Sequence, residues 1–334
     1  MQLVDDQKLI SRDLAPLIWI HSEDFYKPSD IGAQIANTIP QVNFQAIPGI
    51  SLPLTLNDLD ALNSKGSTEV FLTSKEGIRA LPPWFKGVRP NRDGKTEGAI
   101  SCAIVVTERE AGILDAFYFY FYAYNRGNTV FGVEFGNHVG DWEHNMIRFK
   151  DGKPQGIWYS QHASGQAFTW NAVSKRSERP IGFSANGSHA VYATEGSHDH
   201  TIPGTNIPIG ILIDECDEGN LWDPTLSAFT YMYDRATQKF KAFDTVTPVN
   251  WLNFDGLWGD KQLPDSTEGQ INLFGQRKYT SGPNGPKFKG LDRNDICPPH
   301  VKLCRLREKL ILEEDEEGEL RRIFQIPDEA ALGA

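Results

Sequence analysis

The sequence predicts a mainly β protein, an antiparallel β-sandwich-like single domain with peripheral helices and long loops. Three observations support this fold class. One segment alternates strictly between aromatic residue types over residues 117–124, further short apolar segments are separated by Gly, Asn, Asp and Pro, and helical patterns are confined to two stretches. Short strands joined by such turns are typical of sandwiches, and a chain of 334 residues can form one such domain.

The predicted elements follow one another along the chain. Residues 16–20 predict an N-terminal strand, and residues 56–64 predict a short helix. The other strand candidates have period-two or continuous apolar patterns bounded by turn residues. They are residues 103–107, 117–124, 142–149, 156–160, 189–193, 228–233 and 240–243.

The aromatic segment 117–124 predicts a central strand of a sheet. Because successive strand side chains point to opposite faces, Phe117, Phe119 and Phe121 share one face and four tyrosines share the other. The Phe face belongs in a core. The Tyr face packs a second layer or lines a pocket, because buried hydroxyl groups need hydrogen-bond partners.

Composition divides the chain into three regions. Residues 1–255 carry the strand signals and form the predicted β domain. Residues 256–300 are rich in Gly, Pro, Asn and Lys, which predicts a long surface loop. In residues 301–334 charges alternate with Leu and Ile, which predicts a charged helical tail. That tail docks on the domain, binds a partner or remains a solvated acidic connector.

The charge balance argues against two kinds of partner. The formal net charge is −11 and the pI is near 5.2. Nucleic-acid binding needs clustered Lys and Arg to neutralise phosphates, and no long basic run is present, so we expect no nucleic-acid partner. Adhesion to anionic lipid by charge is disfavoured for the same reason. No apolar run is long enough to predict a transmembrane segment, and nothing indicates the oligomeric state.

The N-terminus and the cysteines predict the compartment. The first residues have neither the basic nor the apolar segment of a signal peptide. The sparse, irregular spacing of Cys102, Cys216, Cys297 and Cys304 is typical of compartments where thiols stay reduced. Cys297, His300 and Cys304 could form a small metal clip, although ordinary thiols are the simpler interpretation. We therefore expect a cytoplasmic protein, with vacuole or endomembrane association as a further possibility.

The segment Gly-Asn-His-Val-Gly-Asp-Trp-Glu-His contains a candidate metal site. If a strand begins at Asp141, then Asp141 and Glu143 point to the same face, with His138 reaching the same point from the preceding turn. Two adjacent carboxylates repel, and the pKa of one rises unless a cation lies between them. The pattern predicts a divalent cation, Mg, Ca, Mn or Zn. A surface strand with solvated charges is the alternative. The acidic turn at 21–24 either borders this site or is solvated.

Further histidines follow the motif. Six of the eight histidines lie between residues 138 and 200, and the later ones stand in segments rich in Gly and Ser, which let the backbone approach a ligand closely. His189 is the predicted fourth metal ligand. His144, His162 and His198 are the candidate catalytic residues, as general acid or base or as further ligands. Each histidine taken alone could instead be a packing or surface residue.

Five segments together resemble the Vps62 family, which also carries a domain-of-unknown-function label in plants. They are residues 14–30 (Leu-Ala-Pro-Leu-Ile-Trp-Ile-His-Ser-Glu-Asp-Phe-Tyr-Lys-Pro-Ser-Asp), 138–144, 159–165 (Tyr-Ser-Gln-His-Ala-Ser-Gly), 179–180 (Arg-Pro) and 187–192 (Gly-Ser-His-Ala-Val-Tyr). The resemblance covers about residues 14–235. It implies a role in vacuolar protein sorting, and it implies a fold more firmly than a reaction.

A shorter segment is similar to the necrosis-inducing NLP cytolysins. Their motif Gly-His-Arg-His-Asp-Trp-Glu has the spacing of His138, Asp141 and Glu143, and in that family it implies a divalent-metal site on a β-sandwich. This chain departs from the motif at Asn137 and Gly140, where the motif has Gly and a second His. The resemblance therefore implies a shared metal-binding device rather than a toxin.

Two classes of function remain open. In the first, the metal orders the loops of a non-catalytic protein that binds a small molecule, a lipid or a glycan in vacuolar sorting. In the second, the metal is a Lewis acid or activates water in a hydrolase, or in a lyase or cyclase acting on a small molecule or natural product. No nucleophile elbow, phosphate-binding loop or dinucleotide motif is present. We favour the first class, because the resemblance implies a role and nothing indicates a reaction.

Overall fold

Strands dominate the secondary structure, which confirms the mainly β prediction. A computed structural model describes residues 11–200, 212–273, 275–301 and 303–310. In chain order the strands are β1 (Leu17–Ile20), β2 (Thr38–Val42), β3 (Gln45–Ala46), β4 (Phe71–Ser74), β5 (Cys102–Glu108), β6 (Ile113–Asn125), β7 (Thr129–Val130), β8 (Val133–Glu134), β9 (His138–Lys150), β10 (Lys153–Gln161), β11 (Ser164–Thr169), β12 (Lys175–Arg176), β13 (Arg179–Ser184), β14 (Val191–Tyr192), β15 (Gly196–Asp199), β16 (Ile213–Cys216), β17 (Asn220–Trp222), β18 (Ala228–Asp234), β19 (Lys239–Ala242), β20 (Asn272–Leu273), β21 (Gln276–Arg277) and β22 (Leu306–Arg307).

Helices are short and peripheral, as predicted. The α-helix α1 (Ile31–Ala36) begins at Asp30, whose carboxylate accepts a hydrogen bond from the backbone N–H of Ala33 at 2.7 Å. The 3₁₀ helices are Leu59–Lys65, Ser67–Glu69, Ile78–Ala80, Pro83–Lys86, Glu110–Gly112, Pro224–Ser227, Asn250–Asn253 and Pro286–Phe288. No helix in the described ranges is long and apolar enough to span a bilayer.

Two main sheets form the sandwich. The larger has eight strands in the order β19-β18-β5-β6-β9-β10-β11-β22, and the smaller has the order β12-β13-β1-β17 with β14 paired to β13. Most pairs are antiparallel, as predicted. The pairs β5–β18, β1–β13 and β11–β22 are parallel, because their connections return along the same direction instead of turning back as hairpins.

The central strand β6 has the two faces that its alternation predicts. Its phenylalanines pack with Trp142, Trp158 and Trp258 in one apolar core. Its tyrosines pack against the smaller sheet, in a second core that includes Ile18 and Trp222. The hydroxyls of Tyr118, Tyr120 and Tyr122 hydrogen-bond to Ser11, Asn145 and Ser184, respectively. The Tyr face therefore packs a second layer, which is one of the two predicted arrangements.

The predicted elements recur with shifted ends. Each of the strand candidates 16–20, 103–107, 117–124, 142–149, 156–160, 228–233 and 240–243 overlaps one strand from the list above. Only Val191–Tyr192 of the candidate 189–193 is a strand, and the predicted helix at 56–64 is the 3₁₀ helix Leu59–Lys65. The helix α1 and the strands β12, β13 and β17 of the smaller sheet were missed, because they are short and their apolar patterns are weak.

The region 256–300 covers the Phe side of the large sheet. It is largely irregular, as predicted, yet Trp258, Leu291 and Ile296 are buried in the core. It is therefore a packed layer and not only a surface loop. In the tail region 301–334, Leu306–Arg307 is a strand paired with β11, where the sequence predicted a helix. Residues 311–334 lie outside the described residues, and a helix there stays a prediction.

The expectation of reduced thiols is wrong for two cysteines. Cys297 and Cys304 form a disulfide that closes a short loop, whereas Cys102 and Cys216 are free and buried. Pro298 and Pro299 lie directly after the first cysteine and restrict the conformations of this loop. The pairing also rules out the metal clip considered for Cys297 and Cys304.

Gly140 of β9 lies where the large sheet packs against the region 256–300, so a substitution there tests that packing. This residue has φ +69°, and a Cβ placed there would lie 1.9 Å from the backbone oxygen of Trp258. We expect Gly140→Ala to lower the free energy of unfolding by about 3 kcal/mol or more, through left-handed backbone strain and overpacking. Urea unfolding of the purified protein measures this change.

Gly136 is the matched control for that substitution. It also has a positive φ, +90°, but a Cβ there would have no neighbour within 4 Å. Gly136→Ala should therefore cost only the backbone strain, about 1–2 kcal/mol. Equal losses in the two variants would contradict the close approach of β9 to the covering layer.

Candidate functional site

Strand β9 places two carboxylates on the Tyr face of the large sheet. In its antiparallel register with β6, Asp141 is opposite Tyr122 and Glu143 is opposite Tyr120. Both carboxylates are buried, each with 5% of the residue exposed. The prediction that Asp141 and Glu143 share a face is therefore confirmed.

His138 lies within the strand, where the sequence predicted a preceding turn, and its charge helps to lower the pKa of Asp141. It is the first residue of β9, and the left-handed Gly140 follows two residues later. His138 Nδ1 lies 2.7 Å from the carbonyl oxygen of Gly140. Because a carbonyl can only accept, Nδ1 carries the proton and Nε2 keeps the lone pair that a metal needs. Burial lowers the pKa of His138 and outweighs the charge of Asp141, which acts in the opposite direction. The lowered pKa favours the neutral imidazole.

His189 contacts Asp141, and its buried ring lies flat against Tyr122 with 3.7 Å between the ring centroids. His189 Nδ1 lies 3.0 Å from Asp141 Oδ2, so this ring orients that carboxylate. On its other side, His189 Nε2 lies 3.2 Å from the Tyr26 carbonyl oxygen and 3.5 Å from Asp24 Oδ2. The structure thus brings together His189 and Asp141, two of the four predicted metal ligands, in direct contact.

Asp24 is a member of the site that the sequence interpretation treated mainly as part of a solvated turn. Only 4% of the residue is exposed. Its Oδ1 accepts a hydrogen bond from the Tyr26 backbone N–H at 2.9 Å, whereas its Oδ2 has no hydrogen-bond partner. The acidic turn therefore folds inward beside His189. We call Asp24, His138, Asp141, Glu143 and His189 the acidic cluster.

The acidic cluster holds more negative charge than its hydrogen bonds neutralise. Burial and the neighbouring charge of Asp141 raise the pKa of Glu143 to about 8. Burial acts in the same direction on Asp141, but the hydrogen bond from His189 and the charges of His138 and His189 lower its pKa overall. Glu143 Oε2 is buried without a hydrogen-bond partner, like Asp24 Oδ2. Two unpartnered carboxylate oxygens in one buried cluster fit a cation, which would remove this conflict.

The chemistry of the donors fits a divalent cation better than their spacing does. Carboxylate oxygens and imidazole nitrogens suit Mg, Mn or Zn. In the described parts of the chain, however, the only His, Cys, Asp and Glu trio with ligand atoms within 4.8 Å of one another is His162, His200 and Asp214. A cation in the acidic cluster would therefore need side-chain rotation or bridging water to complete its coordination.

The candidate catalytic residue His144 lies on the opposite face of β9. It is opposite Phe119 in the register, with 5.4 Å between the ring centroids. Its neighbour Glu143 faces the tyrosines, and the period of two sends His144 to the Phe side. His144 therefore does not join the acidic cluster. The strand period predicts this separation from Glu143 from the sequence alone.

The candidate His162 belongs to a second group, which is centred on Asp214, and the candidate His198 lies beside that group without a hydrogen bond to Asp214. His162 Nε2 lies 2.7 Å from Asp214 Oδ2. His198 stacks on Tyr192 with 3.9 Å between the ring centroids, and its Nε2 donates to the carbonyl oxygen of Thr194 at 3.1 Å. Sequence reasoning missed Asp214, because it lies in a short strand with no histidine or glycine motif around it.

A cleft of about 480 Å³ opens on the Phe side, between β10 and the covering layer. Its lining includes His144, Trp158, His162, Lys289 and His300. The buried Arg293 donates from Nη2 to His144 Nε2 at 2.8 Å and also donates to backbone carbonyls of residues 289, 290 and 296.

The contact with Arg293 defines the state of His144. Burial and the charge of Arg293 hold the pKa of His144 well below its usual range. Because Nε2 accepts from the guanidinium, the ring proton is on Nδ1, which is buried without a hydrogen-bond partner. His144 and the cationic Lys289 both belong to the cleft lining, which suits a ligand that carries hydrogen-bond acceptors.

Comparison with known proteins identifies the family. A sequence profile described as vacuolar protein sorting-associated protein 62 matches residues 128–273. In Saccharomyces cerevisiae, vacuolar protein sorting-associated protein 62 is 32% identical over 315 residues. TDA6 of the same organism, provisionally named a vacuolar protein sorting-associated protein, is 37% identical over 322 residues. The chain belongs to the Vps62 family.

The match to these Vps62-family relatives covers most of this chain but only part of each relative. The alignments cover 84% of this chain for TDA6 and 85% for vacuolar protein sorting-associated protein 62. In both cases the chain spans 66% of the relative's length. The family resemblance predicted from the motifs is therefore confirmed, and the relatives contain further sequence without a counterpart in this match.

Solved structures show only weak likeness to this Vps62-family chain. Necrosis and ethylene inducing protein 2, from the causal agent of cocoa's witches' broom disease, aligns with a TM-score of 0.27 at 14% identity, over 55% of this chain and 67% of that protein. NLPPya in complex with mannosamine aligns with a TM-score of 0.30 at 8% identity, over 68% of this chain and 74% of that one. Scores this low support no functional conclusion.

The raised pKa of Glu143 predicts how the stability of the metal-free protein depends on pH. The folded pKa of about 8 exceeds the ordinary value of 4.5, so the folded state binds more protons between these values. The free energy of unfolding therefore falls as the pH rises through this window. Since one pKa unit corresponds to about 1.4 kcal/mol, Glu143→Gln should lose about 1–2 kcal/mol less than the wild type between roughly pH 6 and pH 8.

Urea unfolding in the presence of EDTA at the two pH values measures that difference. Subtracting the wild-type curve from the variant curve removes the titrating groups that both proteins share and that do not interact with Glu143. Glu97→Gln is the matched control, because Glu97 is exposed and contacts Lys95 and Asn91, away from Glu143. Parallel pH profiles for the wild type and Glu143→Gln would show that the Glu143 carboxyl is not desolvated in this way.

Proposed function

We propose that this chain is a divalent-cation-binding protein that acts in protein sorting to the vacuole. The observation that supports cation binding is the acidic cluster, where three buried carboxylates leave two oxygens without hydrogen-bond partners. The names of the Saccharomyces cerevisiae relatives support the sorting role. The chain spans 66% of each relative. The sorting role belongs to the whole relative, so we assign it to this chain as a proposal.

Each residue of the acidic cluster has a proposed part. Asp141 and Glu143 supply carboxylate oxygens, and His138 supplies Nε2. Asp24 adds a further oxygen, and His189 orients Asp141 through its Nδ1. Mg, Ca, Mn and Zn remain the candidate ions, and the imidazole in the set favours Mn or Zn over Ca.

The proposed cation joins three separate segments of the fold. Asp24 follows β1, Asp141 and Glu143 lie on β9, and His189 precedes β14. A bound ion would hold these segments together by adding its binding free energy to the folded state. This arrangement supports an ordering role, in which the ion shapes a surface for a lipid, glycan or small-molecule ligand. The cleft beside Lys289 is the candidate location for such a ligand.

A metal-dependent hydrolase, lyase or cyclase is the second candidate function. One observation favours it, because Lys289 lines the cleft and its charge also lowers the pKa of Glu143, so the cleft and the acidic cluster are electrostatic neighbours. When bound, the ion would supply Lewis-acid chemistry. His144 would orient the substrate by donating from Nδ1, and Lys289 would bind an anionic group.

Metal content tests the proposed ligands. We expect the double variant Asp141→Asn, Glu143→Gln to retain one equivalent of cation fewer than the wild type after loading with Mg, Ca, Mn or Zn and removal of free ions. Elemental analysis measures the content. At a cation concentration of about 100 Kd, the wild type should gain about 2.7 kcal/mol of stability, and the variant should gain much less.

Asp265→Asn is the matched control for the double variant. This carboxylate is exposed and pairs with Arg277 at 2.7 Å, away from the acidic cluster. Its metal content and its thermal shift on cation addition should equal those of the wild type. Equal metal content in the wild type and in the double variant would refute the proposed site.

The disulfide bears on where the protein works. Disulfides persist in oxidising compartments and are rare in the cytosol. We propose that the domain functions on the oxidising side of the endomembrane system, in place of the cytoplasmic location expected from the sequence. The vacuolar names of the relatives support this location.

Thiol counting tests the disulfide. Protein purified without reductant and then denatured should react with a thiol reagent at two sites, Cys102 and Cys216, and after reduction at four. Cys304→Ser should raise the unreduced count to three, because it releases Cys297. Four reactive thiols in the unreduced wild-type protein would rule out the Cys297–Cys304 bond.

A further inference from the structure

Three side chains from separate segments converge beside the smaller sheet, outside the acidic cluster. His162 lies in the turn between β10 and β11, His200 directly follows β15, and Asp214 lies on β16. His162 Nε2 is 2.7 Å from Asp214 Oδ2, and His200 Nε2 is 3.7 Å from Asp214 Oδ1. One ligand atom from each of the three residues lies within 4.8 Å of the other two.

Asp214 is held in a fixed orientation by its other neighbours. Ser188 Oγ donates to Asp214 Oδ1 at 2.6 Å, and the Tyr192 hydroxyl donates to Asp214 Oδ2 at 2.8 Å. The residue is only 1% exposed. Outer hydrogen bonds of this kind are what fix metal-binding carboxylates in proteins, because they set the direction of the lone pairs.

An ion pair with Asp214 accounts for one of the two histidines and not for both. Although burial opposes protonation, Asp214 raises the pKa of His162 to about 9, so this ring carries the positive charge of the pair. Burial and the charge of His162 lower the pKa of His200. The neutral His200 nevertheless faces the same carboxylate, and its ring stacks on His162 with 4.1 Å between centroids. Neutral imidazole is the form that binds metals.

Two further features of the group favour a ligand. Asn128 Oδ1 lies 2.9 Å from His200 Nε2 and is a possible fourth donor. About a third of the His162 side chain is exposed, so an ion can reach the group from solvent.

We propose that His162 Nε2, His200 Nε2 and the Asp214 carboxylate form a second cation site, of the Zn²⁺ class, with Asn128 or water completing four-coordination. Two imidazoles and one carboxylate are a donor set that Zn²⁺ uses in proteins. On binding, the ion takes the place of two protons: the His162 Nε2 proton passes to solvent, and the proton that His200 Nε2 donates to Asn128 Oδ1 moves to His200 Nδ1, which frees the Nε2 lone pair. The site shares no ligand with the acidic cluster, although His162 also lines the cleft and interacts electrostatically with Asp141 and Glu143.

The test uses the full chain with the acidic cluster already disabled by Asp141→Asn and Glu143→Gln. In this background, after treatment with EDTA, we expect one equivalent of Zn²⁺ to bind by calorimetry. Co²⁺ should give the visible absorption of a tetrahedral site. Adding His162→Gln or His200→Gln should weaken Zn²⁺ binding by roughly 10-fold or more and remove the Co²⁺ absorption.

His198→Gln is the matched control, because His198 lies two residues before His200 and contacts Thr194 and Tyr192 instead of Asp214. It should leave Zn²⁺ binding unchanged. Thermal unfolding of each metal-free variant checks that the fold is kept. We expect it to be kept, because the side chains of His162 and His200 are both partly exposed.

Two results would overturn the second site. One is the absence of Zn²⁺ binding in the background variant, and the other is Zn²⁺ binding that neither His162→Gln nor His200→Gln weakens. Failure of the proposed function looks different, because it would appear as unchanged metal content between the wild type and the Asp141→Asn, Glu143→Gln variant.

Discussion

The rest of the structure depends on the antiparallel pairing of β6 with β9. This register puts Tyr122 opposite Asp141 and Tyr120 opposite Glu143, so the carboxylates enter the buried layer between the two sheets. A slip of one residue would send Trp142 there instead and turn the carboxylates towards the tryptophan-rich core. Because both faces of the strand pair are buried, each face resists such a slip. The site therefore has the rigidity of the sheet.

The acidic cluster is electrostatically costly, and this cost links the fold to the proposed cation. Burial raises the pKa of Glu143 while Asp141 remains stabilised by His189, so the metal-free cluster carries a proton that a cation would displace. Asp24 brings the segment after β1 into the same cluster. The positions of the segment after β1, of β9 and of the segment before β14 therefore all depend on how the charge of the acidic cluster is neutralised.

The sequence predicted local features well and distant contacts poorly. Strict alternation identified β6 and its two faces, and the His-x-x-Asp-x-Glu spacing placed Asp141 and Glu143 together, because both follow from the strand period. The position of His144 on the other face follows from the same period and was overlooked. Asp24, Asp214 and the Cys297–Cys304 bond depend on which distant segments meet, and no local pattern encodes that. The parallel pairing of β5 with β18 was missed for the same reason.

Arg293 has a consequence for how this family could diversify. Its buried guanidinium binds three carbonyls of its own loop and His144, so one residue that faces away from solvent sets the path of the wall around the cleft. The wall side chains, such as Phe288 and Pro299, make no comparable set of bonds to the frame. Substitutions at those positions can change which ligand fits while the frame is inherited intact, which makes the cleft the part of the molecule most open to evolutionary change of specificity.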